Sequence, residues 1–123
     1  MEVNLQIYRK TLELFSTIDN AVEYIGEKTL EGEFDICITL LQDIKMGIEE
    51  IDSSLAILMS RLNKYFEMGL MTSELTYQLD RIEKAYGNVN IDVINLMIEE
   101  SLKPIIQSWR GDIIAIVGAE ISA

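Results

Sequence analysis

The chain has 123 residues, with 21 acidic and 10 basic side chains, no histidine and a single cysteine. That length predicts one compact domain spanning residues 1–123, without room for a second. The missing histidine excludes phosphohistidine and ExxH di-iron bundles, and one cysteine without histidine excludes a structural zinc centre and an internal disulfide. A net charge of −11 sets the chain against phosphate-rich partners, so neither nucleic acid nor an anionic membrane surface is an expected ligand.

Apolar residues recur at helical spacing almost throughout, and the expected fold class is all-α. The first helix, about Glu2 to Lys28, is predicted to bury Leu5, Tyr8, Leu12, Phe15, Val22 and Ile25, with Ile7, Leu14, Ile18 and Ala21 widening the stripe. Thr29, Leu30, Glu31 and Gly32 break it. Cys37, Leu41, Ile44, Ile48, Ile51, Leu55, Leu58, Leu62 and Tyr65 then follow 4,3 spacing, which predicts a helix from about Glu33 to Glu67, roughly 50 Å long.

Gly69 is expected to end that helix, with Thr72 or Ser73 capping a short third one whose stripe is Leu75, Leu79, Ile82 and Tyr86. From Asn90 a fourth stripe runs through Ile91, Ile94, Ile98, Leu102, Ile105, Trp109, Ile113 and Ile116. Pro104 predicts a kink or break there, because proline lacks the amide donor and crowds the preceding turn. Short connections favour an antiparallel bundle of four main helices. A third helix of about 20 Å leaves its longer neighbours uncovered, and a homodimer is one way to cover them.

No phosphate-binding glycine loop is present. Glu49 and Asp52 spell the ExxD half of the Mg²⁺ motif of nucleotide pyrophosphohydrolase bundles, but no ExxE precedes them. No enzyme, metal or cofactor is therefore expected. The longest apolar run, Ile113 to Val117 extended by Gly118 and Ala119, is too short to span a membrane. With no basic, apolar leader after Met1, the chain is expected to be cytoplasmic. From Asp19 to Asp52 ten acids face only Lys28 and Lys45, which predicts one strongly negative region.

Ser54 and Leu55, then Leu62, Lys64, Tyr65 and Phe66, and finally Trp109 fall in an order similar to that of small acidic helical proteins of Gram-positive bacteria. Among these, the chain resembles flagellar export chaperones of the FliS type, which wrap and solubilise an unfolded flagellin segment. The tyrosine-rich N-terminal signature of that family is reduced here to Tyr8, so the likeness implies a class of role and no particular residues. Together these readings predict a non-enzymatic protein-binding bundle, a chaperone or adaptor. Its partner is expected to contact Tyr65, Phe66, Met68, Leu70, Met71 and Trp109, steered by the acids between Glu31 and Asp52. Two other roles fit the same composition: a self-associating structural or regulatory homodimer, and an acidic decoy for a nucleic-acid-binding protein.

Overall fold

The computed structural model describes residues 2–122, with side chains from Leu5 to Ile121. All regular structure among them is helical: α1 (Glu2–Leu30), α2 (Phe34–Arg61), α3 (Tyr65–Ala85), a 3-10 turn (Tyr86–Asn88), α4 (Ile91–Met97), a π turn (Ile98–Leu102) and α5 (Lys103–Ser122). The last three run without a gap and form the fourth arm of a four-helix bundle.

Side-chain pairs fix the directions. Lys10 meets Glu50 at 2.9 Å while Thr29 meets Cys37, so α1 and α2 are antiparallel. Thr72 donates to Asp52 at 2.9 Å and Lys45 lies between Asp80 and Glu83, which sets α3 antiparallel to α2. Arg110 pairs with Asp19 and Lys103 with Glu23, closing the ring between α5 and α1.

Each link is a local stop signal. Gly32 adopts φ 76°, and the amides of Gly32 and Glu33 return to the carbonyls of Thr29 and Lys28, ending α1 with the paired bonds of a Schellman turn. Asn63 does the same for α2 at φ 56°, its amide bonding Ser60 and that of Lys64 bonding Met59. Asn90 caps α4, its side chain accepting from the Val93 amide at 3.2 Å.

The core is one continuous cluster from Phe15 to Val117. Its α2 face is the predicted stripe from Cys37 to Leu58. Beyond Leu58 the stop at Asn63 breaks the stripe: Leu62 is only half-buried and Tyr65 is exposed, so α2 is six residues shorter at its end than its spacing implied. Gly69 lies inside α3, which spans 21 residues, about 31 Å. Met68, Leu75, Leu79 and Ile82 line its buried side, and Tyr86 continues the line in the 3-10 turn. A glycine in a helix interior costs only about 1 kcal/mol, which that burial outweighs. At that length α3 covers more of its neighbours than the expected helix of about 20 Å, though at 21 residues it remains shorter than α1 and α2, which have 29 and 28.

Two stripes are rotated from expectation. In α1 the buried line is Thr11, Phe15, Ile18, Val22, Ile25 and Thr29, and Leu12 is exposed. Threonine enters the core because its hydroxyl is satisfied locally: Thr11 donates to the Ile7 carbonyl at 2.8 Å. In the fourth arm Ile106 and Val117 are buried in place of Ile105 and Ile116.

The π turn explains the second shift. Ile94, Ile98, Leu102 and Ile106 are spaced 4,4,4, which would rotate the stripe by about 120° over three steps of an α-helix. The Lys103 amide bonds the Ile98 carbonyl five residues back, absorbing one residue and holding the stripe on the core. Pro104 comes directly after, where the helical ladder is already shifted, and the helix continues through it.

At the α1–α2 link, Thr29, Cys37 and Tyr86 form a buried polar cluster. The Thr29 and Tyr86 hydroxyls are 2.8 Å apart, Cys37 Sγ is 3.5 Å from Thr29 Oγ1, and the Cys37 thiol donates to the Ile25 carbonyl at 3.7 Å. Burial drives the Tyr86 phenol well above the ordinary tyrosine range despite the Thr29 hydrogen bond. A raised acid pKa in the folded state means that stability is lost as pH rises past the unfolded tyrosine value. Tyr86→Phe removes the shorter of the two contacts of the Thr29 hydroxyl, leaving Cys37, and is expected to cost about 0.5–1.5 kcal/mol in denaturant titrations at pH 7. A Thr29→Val, Tyr86→Phe double variant should lose less than the sum of the two single changes.

Candidate functional site

The six residues proposed from the sequence separate into two groups. Tyr65, Phe66 and Leu70 are 56%, 76% and 58% exposed, whereas Met68 and Trp109 are each 2% exposed. Met68 and Trp109 are thus core residues and not free contacts, correcting the expectation that a partner touches them. Helical geometry causes the division: Met68 falls on the buried line through Leu75, while Phe66 and Leu70, four apart, point outward. Trp109 packs edge-on to Phe15, with ring centroids 5.1 Å apart, and its indole N–H has no partner among the described residues.

Met71 lies between the groups. With Leu70, Glu74, Ile105, Ser108 and Trp109 it borders a cleft of about 290 Å³ between α3 and α5. Most of that lining is carbon, with Glu74 and Ser108 supplying polar atoms. Ile105 reaches this cleft because the π turn rotates it away from the core line. Tyr77, 58% exposed, extends the Phe66 and Leu70 face by lying seven residues beyond Leu70, almost two full turns. That spacing is visible in the sequence, but exposure of a tyrosine is legible only once the buried side of α3 is fixed.

On the other flank of α3, Asp52, Ser53, Ala56, Tyr65, Met68 and Gly69 border a cleft of about 230 Å³ against α2. Burial raises the Asp52 carboxyl above the ordinary aspartate range. The Thr72 hydrogen bond opposes this, and neighbouring Glu49 adds to it. The folded state therefore holds the proton more tightly than the unfolded chain, and stability falls as pH rises through the raised value. Asp52→Asn, which keeps an oxygen for Thr72, is expected to raise Tm at pH 7. The gain should vanish as pH falls into the ordinary carboxylate range, as a series of thermal melts would show.

A third cleft, between α1 and α5, is closed by charge: Arg110 pairs with Asp19, and Lys103 bridges Glu23 at 3.1 Å and Glu99 at 2.7 Å. Its cations are already neutralised. Among the described residues no group of three or more cysteine, aspartate or glutamate side chains is placed to hold a metal ion, and no helix is long and apolar enough to cross a membrane.

The fold and these surfaces define an antiparallel all-α bundle with an apolar face at the start of α3. The chain belongs to the family described as Domain of unknown function (DUF8042), whose profile matches residues 6–112. That match takes in all three clefts. No curated protein and no solved structure matches the chain.

Proposed function

We infer that the protein is a non-enzymatic, cytoplasmic binding module, a chaperone or adaptor that docks an apolar segment of another protein on the outer face of α3. The observation that carries this reading is the grouping of Tyr65, Phe66 and Leu70, all more than half exposed, within the first two turns of α3, with Leu70 bordering the α3–α5 cleft and Tyr65 the cleft against α2. Exposed aromatic and aliphatic side chains next to a carbon-lined cleft are the usual anchors of a helix or extended segment. The likeness to flagellar export chaperones supports the class of role through Tyr65 and Phe66. Leu55 and Trp109, which also carry it, belong to the core.

The test is a Phe66→Ser, Leu70→Ser double variant compared with the wild-type chain in capture from lysate of its own organism at about 0.5 M salt, where surface ion pairing is screened within about 4 Å. The expected result is loss of a specific wild-type partner with thermal stability unchanged. Retention of that partner by the variant would contradict the assignment.

A further inference from the structure

A separate groove runs between α1 and α2, away from the α3 face, and its content is independent of the function proposed above. It measures about 560 Å³; Leu14, Met46 and Gly47 supply its apolar lining, or floor, and Asp43, Glu49 and Glu50 its charged lining, or rim. Met46 is 66% exposed, and Gly47 adds no side chain to the lining.

Its charge is uncompensated. Lys10 is engaged with Glu50, and Lys45 lies on the opposite flank of α2 with Asp80 and Glu83. Among the described residues Asp43 and Glu49 pair with no basic side chain. An apolar floor with a carboxylate rim complements one occupant in particular: apolar residues along one side to fill the floor, and lysine or arginine on the flanks to meet the rim.

We propose that the α1–α2 groove binds a basic amphipathic helix of a partner protein. The apolar side of that helix seats over Met46 and Gly47, and its cationic flanks face Asp43 and Glu49. The floor supplies the site and the rim supplies the sign of the partner, so charge alone is not sufficient for binding.

The probe is an 18-residue helix-forming peptide of leucine and lysine with its leucines on one side, together with a twin carrying glutamate in place of lysine, titrated by fluorescence anisotropy at about 0.1 M salt. The lysine peptide is expected to bind and the glutamate twin not to. Asp43→Asn with Glu49→Gln should weaken binding about tenfold. Gly47→Leu fills the floor without altering net charge. A Cβ there lies 3.5 Å from Ile18, an ordinary contact, and circular dichroism with a thermal melt reports whether the outer carbons of the leucine leave the fold intact. This variant too should weaken binding about tenfold or more, with circular dichroism unchanged. The Phe66→Ser, Leu70→Ser variant should bind as the wild type does, which separates this groove from the α3 face. Equal binding by Gly47→Leu would reduce the interaction to general attraction by an acidic surface and overturn the proposal. Binding lost in the Phe66 and Leu70 variant would place the peptide on α3, and no binding by the lysine peptide would remove the groove as a site.

Discussion

Trp109→Ala is expected to lower the unfolding free energy by about 3–5 kcal/mol, whereas Phe66→Ala should change it by no more than about 0.5 kcal/mol. Both are aromatic residues proposed for the same surface from sequence, and burial alone separates them. Trp109 has lost nearly all contact with water and meets Phe15 edge to ring, so its removal forfeits transfer energy and leaves a cavity between α1, α3 and α5. Because its indole N–H has no partner among the described residues, Trp109→Phe should cost far less than Trp109→Ala. Guanidinium titrations of the three variants check this. Since small domains hold only about 5–15 kcal/mol in total, Trp109→Ala should show a visibly lower midpoint or fail to fold.

The second large effect concerns register. Deleting Gln107, an exposed residue of α5, rotates Trp109, Ile113 and Val117 by about 100° away from the core and is expected to abolish cooperative unfolding. Deleting Glu100, an exposed residue of the π turn, removes the one residue that the turn absorbs and leaves both flanking stripes in place. The cost there comes from Pro104, which would then sit in an ordinary α-helical ladder, at up to about 3 kcal/mol. Combining the Glu100 deletion with Pro104→Ala should recover most of that loss. Thermal melts followed at 222 nm compare the three. Tolerance of the Gln107 deletion would show that the fourth arm is not held by its stripe.

The antiparallel bundle was legible because Cys37 to Leu58 carry an unbroken heptad and because Gly32 and Asn90 mark their turns by residue type. The end of α2 was not, since Leu62 and Tyr65 continue the spacing and Asn63 stops the helix through a left-handed backbone that asparagine adopts more readily than most residues. Gly69 resembles a terminator by residue type, yet Met68, Leu75 and Leu79 keep α3 in register through it.

Of the candidate surface, Tyr65, Phe66 and Leu70 are exposed groups near the α2–α3 junction, as their place in the sequence suggests. Met68 is not, because the line that buries it depends on where α3 starts, whereas Trp109 already lies on the apolar stripe of the fourth arm, and its burial follows from that stripe. The groove beside Met46 is hidden for another reason. Its floor is built from two helices about thirty residues apart in sequence and from a glycine with no side chain to register in a hydrophobic pattern.

The most direct measurement of the central claim is site-specific photo-crosslinking in cells, with a benzophenone amino acid placed at Phe66 in one strain and at Lys84, exposed near the far end of α3, in another. The α3-face account predicts a discrete protein adduct from position 66 that is absent from position 84. No adduct from position 66, or the same adducts from both positions, would contradict it.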